Sequence, residues 1–206
     1  MTGGCDGVYA AFEDVMNEAL SLIREDDGDR EKIAKLYVYV SENMEYGSPY
    51  KKHDVTHDDY NCIRYKIGGK PEFARFLNML ARQAGFEAKE GRSIGEEGSA
   101  GMADHFWSLI KVEGKWYHFD ACFQNIVHTD TEMYCFAMNT EDRYESISVV
   151  NITGERFESR MFERGSYTNK ETELPRCDYS MSDKEKEKLY NSVIEEYRQD
   201  IKAPKA

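Results

Sequence analysis

The stretch Asp104–Cys122, DHFWSLIKVEGKWYHFDAC, reads as a β-hairpin. Two runs rich in aromatic and aliphatic residues flank Glu113-Gly114, and glycine at the second loop position suits the positive φ of a two-residue primed turn. With that loop, Val112 pairs with Lys115, Trp107 with Asp120 and His105 with Cys122. Side chains alternate faces along a strand, so His105, Trp107, Asp120 and Cys122 share one face. Phe106, Ile110, Val112, Tyr117, Phe119 and Ala121 make the other, a core face. His105 and Asp120 become diagonal neighbours, a base and its orienting carboxylate held on rigid strands. The open question is which residue serves them as a nucleophile.

Upstream, the best-signalled element is a helix. Gly68-Gly69-Lys70 leads into Pro71, which suits a first helical position, and Glu72 complements the positive end of the helix dipole. Phe73, Phe76, Leu77, Leu80 and Ala84 form an apolar stripe, and Gly85 stands where a left-handed stop belongs. This pattern predicts a central helix. Phe86–Ile94 reads as a strand. Gly95–Gly101 is a flexible loop before the hairpin, either a plain connection or a flap over His105.

Further upstream, apolar periodicity predicts helices over 6–24 and about 30–44, an antiparallel pair broken at 25–29, with Gly28 as the stop and Asp29 as the next cap. Residues 45–67 read as an irregular loop, with a short extended piece within Tyr60–Ile67. His53 and His57, beside Asp54, Asp58 and Asp59, would look like a metal cluster on a helix. Pro49 and the lack of apolar periodicity favour a solvated loop, so no metal site is predicted. Downstream, Met133–Met138, Tyr144–Val150 and Arg156–Phe162 are candidate strands, and 163–181 is irregular. Ser182-Asp-Lys-Glu185 is a capping box that opens a last helix bearing Leu189, Val193, Ile194, Tyr197 and Ile201. Helices, a buried helix, an antiparallel sheet and a terminal helix make an α+β chain.

Composition agrees. A chain of 206 residues, 40% hydrophobic and 32% charged, suits one globular domain able to bury a core without disulfides. A net charge of −12 argues against nucleic acid and anionic membrane surfaces, and no apolar run is long enough for a transmembrane segment. Five scattered cysteines form neither a disulfide framework nor a metal-ligand spacing, so free thiols are expected.

Glu72-Phe73-Ala74-Arg75-Phe76 with Ala84-Gly85-Phe86, then His105-Phe106-Trp107, then Gly114-Lys115-Trp116-Tyr117-His118-Phe119-Asp120, resemble the core of the transglutaminase-like superfamily. Tyr134-Cys135-Phe136 with Asn139-Thr140 is similar to the strand that follows that core in bacterial members. The resemblance covers about residues 30–140. It implies a papain-like α+β fold, with a nucleophilic cysteine at the N-terminus of the central helix facing His and Asp on the sheet. It divides one domain over 1–206 into an N-terminal helix (1–29), the core (30–140) and a C-terminal strand and helix extension (141–206).

His105 and Asp120 carry over as base and orienter. The nucleophile does not, because four residues before Ala74 stands Lys70. A helix N-terminus and a nearby imidazolium stabilise a thiolate, whereas lysine meets the positive dipole end with a positive charge. An amide formed on Lys70 would be a dead end.

Three readings follow. The chain is an inactive binding or scaffolding module in which Lys70 pairs with Asp120 or another acid. Or a relocated thiol, Cys122 or Cys62, works with His105 and Asp120, although free cysteine is more commonly a small core residue. Or Lys70 supports different chemistry, such as a Schiff base. Trp107 either lines the site, with Glu72, or packs as a sheet aromatic. Trp116 and His118 read as structural or polar. The implied partner is a peptide or protein segment lying between the central helix and the hairpin. No cofactor is expected. The resemblance points to the extracellular side or cell envelope, although no signal peptide is legible.

Overall fold

A computed structural model of the chain describes residues 4–93, 105–127, 133, 135–140, 149–150, 156–157 and 175–200. The hairpin forms in the expected register. Strands β4 (His105–Val112) and β5 (Lys115–Phe119) pair Val112 with Lys115 and Ser108 with Phe119. Glu113 and Gly114 have φ of 50° and 78°, positive at both turn positions as a type I′ turn requires. Strand β3 (Ala88–Ser93) adds antiparallel to β4 and completes a three-stranded sheet in the order β3-β4-β5.

The strand register stops at Phe119, which corrects the expected continuation to Cys122. Residues Ala121–Val127 form helix α6, and Asp120 caps it, its Oδ1 accepting the Phe123 N–H at 2.9 Å. Cys122 therefore stands on a helix turn and is not cross-strand from His105. The Asp120 N–H donates to Cys135 O at 2.9 Å, so this residue ends the strand, starts the helix and ties down the next segment.

Around the sheet lie α1 (Gly4–Leu20), α2 (Asp29–Asn43), the short α3 (Tyr50–His53) and α4 (Asp59–Arg64), α5 (Lys70–Gln83) and the C-terminal α7 (Asp183–Asp200). Strands β1 (Glu45–Tyr46) and β2 (Ile67–Gly68) form a parallel pair, and β6 (Val149–Val150) pairs with β7 (Arg156–Phe157). The architecture is α+β. Ile110, Val112, Tyr117 and Phe119 on one face of the sheet join Phe73, Phe76, Leu77 and Leu80 of α5 in a single core. Trp107 and Leu109 on the opposite face pack with Cys177 and Trp116.

Helix α5 is central as expected, yet α2 is as deeply placed. Every residue from Ile33 to Ser41 is buried, because α5, α6 and α7 all contact it. Ala34, Val38 and Tyr39 are buried along with Ile33, Leu36, Tyr37 and Val40, so this stretch is covered on more than one face. Its one buried cation, Lys35, is held by Asp27 at 2.8 Å and by Glu196 of α7 at 2.8 Å. At the start of α7 the Glu185 carboxylate reaches back as the expected box requires, with Ser182 N–H and Oγ–H both donating to it at 3.1 and 2.6 Å.

Other expectations are corrected. Gly28, not Asp29, precedes α2, its N–H bound by the Glu31 carboxylate at 3.0 Å. Helix α1 ends at Leu20, short of residue 24. Residues 45–67 are not one irregular loop: Asp58 accepts the Asn61 N–H at 2.9 Å and starts α4 where an extended piece was expected. The region was misread because its helices are too short to show a period. Of Met133–Met138, the described residues 133 and 135–138 are not strand, and Met138 makes a single bridge to His118. The Gly95–Gly101 loop, Tyr134, Ile201 and most of the Tyr144–Val150 and Arg156–Phe162 stretches lie outside the described residues.

Candidate active site

The site gathers at the N-terminus of α5. Gly69 precedes the helix, Lys70 is its first residue and Pro71 its second, one position later than the sequence suggested. Glu72 reaches back, its Oε2 accepting the Gly69 N–H at 2.7 Å, and so satisfies one of the orphan donors of the first turn. A Cβ on Gly68 would stand 2.7 Å from the Glu72 Cβ and 2.9 Å from the Met44 Cε, so only glycine lets β2 run this close to the helix.

Lys70 is half-buried, and among the described residues no carboxylate forms an ion pair with it. The expected pairing with Asp120 is not made. The Asp120 carboxylate is already used, Oδ1 by the cap of α6 and Oδ2 by His105 Nε2 at 2.5 Å. Both partners are buried, His105 at 7% and Asp120 at 1% exposure. Nε2 faces the carboxylate, so Asp120 fixes the orientation of the ring.

Trp107 positions this imidazole. The indole lies at 6.0 Å centroid separation and 20° from the His105 ring. Its Nε1–H donates to His118 Nδ1 at 2.9 Å, so the His118 proton sits on Nε2, 3.2 Å from Thr140 Oγ1. With 1% exposure, Trp107 packs within the sheet beside His105. Gly91 makes room for it: a Cβ there would lie 2.3 Å from the indole Cε2.

The two candidate thiols are both buried. Cys122, in the first turn of α6, has its pKa pushed well up, first by burial and then by Asp120, while Lys70 pulls it down. Lys70, Asp120 and Cys122 thus lie within electrostatic reach of one another. Cys62 sits on α4 and not on a loop over the site. Burial, then Glu72, Asp58 and Asp59, push its thiol from 9.0 to about 12. At neutral pH both are thiols, not thiolates.

Two participants were missed by the sequence reading. Asp120 as a helix cap was hidden by continuing the strand alternation through it. His57 lies on an exposed loop as expected, and its Nε2 also comes 3.3 Å from Glu72 Oε1 and its Nδ1 2.9 Å from Ser48 Oγ. His53 is elsewhere, stacked on Tyr65 at 3.9 Å.

The sequence model of the transglutaminase-like superfamily matches residues 18–121. No curated protein matches the chain. Among solved structures, a TGase is 12% identical with a TM-score of 0.41, covering 59% of this chain and 33% of its own. A candidate cysteine protease from Cytophaga hutchinsonii is 16% identical with a TM-score of 0.42, covering 59% of this chain and 43% of its own. The chain thus spans less than half the length of either protein.

Proposed function

This chain belongs to the transglutaminase-like superfamily, and we propose that it is a catalytically inactive member that binds a peptide or protein segment. The observation that carries the reading is Lys70 at the first position of α5, where the resemblance puts the nucleophile, beside an intact His105–Asp120 pair. A lysine there can hold a carboxylate or carbonyl oxygen but cannot pass through an acyl-enzyme that turns over. Ser108 Oγ donates to Ala74 O at 3.1 Å, so α5 and β4 are in direct contact. The bound segment is placed across the groove between α5 and the hairpin, at the Lys70 end of the helix.

The second reading, an acyl transferase with a relocated thiol, has one observation in its favour. Cys122 feels both Lys70 and Asp120. Its burial weighs against it, since a nucleophile must meet its substrate.

Thiol chemistry separates the two. The folded chain is treated with a cysteine-directed electrophile over a range of pH, and labelled sites are mapped by mass spectrometry. Slow labelling near neutral pH, unchanged by His105→Ala, is expected. Fast stoichiometric labelling of Cys122 or Cys62 that disappears in His105→Ala would overturn the inactive reading. Binding is tested by selecting displayed peptides on the chain and counter-screening on Lys70→Ala, where enrichment on both alike would place binding elsewhere.

A further inference from the structure

We infer that His57, Cys62 and Glu72 form a binding site for a divalent cation of the zinc class. Their ligand atoms all lie within 4.8 Å of one another. The His57 Nε2 to Glu72 Oε1 separation is 3.3 Å. Zinc bonds of about 2.0–2.1 Å to N and O at the tetrahedral angle give an edge of about 3.3 Å, so this edge already has the size the ion needs. The edges to a sulfur ligand are about 3.6 Å, so from separations within 4.8 Å Cys62 has little distance to close.

The outer contacts match those of a metal ligand set. His57 Nδ1 is hydrogen-bonded to Ser48 Oγ at 2.9 Å, which aims Nε2 at Glu72. Glu72 Oε2 is fixed by the Gly69 N–H at 2.7 Å, which leaves Oε1 for the ion. Ligating imidazoles and carboxylates are held by their second atoms in this way. One thiolate and one carboxylate neutralise a divalent charge, against about half a positive charge from the start of α5. Binding replaces the Cys62 thiol proton, which passes to solvent as sulfur bonds the metal. Thiolate with imidazole selects zinc or cobalt over magnesium or calcium.

The way in is on the His57 side, whose side chain is 42% exposed while that of Glu72 is 7%. Three ligands leave a fourth position for water. The sequence concealed this site because its members come from a loop, a short helix and the next helix, with no regular spacing. The inference does not depend on what Lys70 does.

The test uses cobalt(II) on the full chain after chelator treatment and desalting. One equivalent should bind and give a thiolate-to-cobalt charge-transfer band in the near ultraviolet. The band should vanish in Cys62→Ser and persist in Cys177→Ser, and zinc should displace it. His57→Ala, at a side chain less buried than Cys62, keeps the test informative if Cys62→Ser misfolds, and there at least a tenfold loss of affinity is expected. Absence of a stoichiometric band, or a band unchanged in a folded Cys62→Ser or His57→Ala protein, would overturn the site.

Discussion

At Asp120 one carboxylate holds two donors, His105 Nε2 and the Phe123 N–H that opens α6. Asparagine caps a helix about as well as aspartate, so Asp120→Asn keeps the cap and disturbs only the His105 pair. Asp120→Ala loses both contacts of the carboxylate. We expect it to cost about 3 kcal/mol, and at least 1 kcal/mol more than Asp120→Asn, by urea unfolding. Equal costs would mean that the cap contributes nothing. Lys70 carries the other residue-scale prediction. A half-exposed lysine at a helix N-terminus loses about 0.3–1 kcal/mol to the dipole, so Lys70→Cys should fold at least as well. Its new thiol, at the positive helix end near the His105–Asp120 pair, should react with iodoacetamide faster than the native cysteines at neutral pH. An inert thiol there would show that the geometry around the pair cannot activate a nucleophile.

At the scale of elements, two close approaches set the site. Strand β3 passes under the Trp107 ring with no space for a Cβ at Gly91. Gly91→Ala must shift the indole that stacks on His105, and a cost of about 1–3 kcal/mol is expected in chemical denaturation. The Trp fluorescence should change with it, and an unchanged spectrum at unchanged stability would refute the packing. Helix α4 is short and depends on its cap, because Asp58 also accepts from Thr56 and Asn61 side chains at 2.5 and 2.9 Å. These hydrogen bonds hold the Asp58 carboxyl below its usual range, the one from Thr56 foremost. Asp58→Ala should cost about 1 kcal/mol and raise hydrogen exchange across 59–64 selectively. Uniform exchange changes would mean that α4 is not an independent unit.

Over the whole molecule, burial of acidic groups fixes the alkaline limit of stability. Burial pushes Cys177 from 9.0 to about 12 and Tyr197 from 10.0 to about 12, and lifts Cys122 further. Folded pKa values above the unfolded ones mean that the unfolded chain binds fewer protons above about pH 9. Stability is therefore full below about pH 9 and falls as pH rises towards 12, by at most about 1.4 kcal/mol per pH unit for each group. Urea midpoints measured from about pH 8 to about pH 11 check this, and a flat profile would contradict the burial of these groups. Local rules made much of this fold legible. The turn at Glu113-Gly114, the strand alternation, the stripe and glycine stop of α5 and the capping box of α7 are written in neighbouring residues, and the α+β order follows from them. Those same rules misled at Asp120, where strand alternation and a helix cap compete, and in 45–67, where two short helices show no period. The sequence by itself therefore determined the hairpin and the long helices, the meeting of His105 with Asp120 and the lysine at the head of α5. Only the tertiary structure decided that Cys122 turns away onto α6, that α2 is buried throughout Ile33–Ser41 and that His57 and Cys62 meet Glu72. Those outcomes depend on contacts between distant segments, and local periodicity carries no information about such contacts.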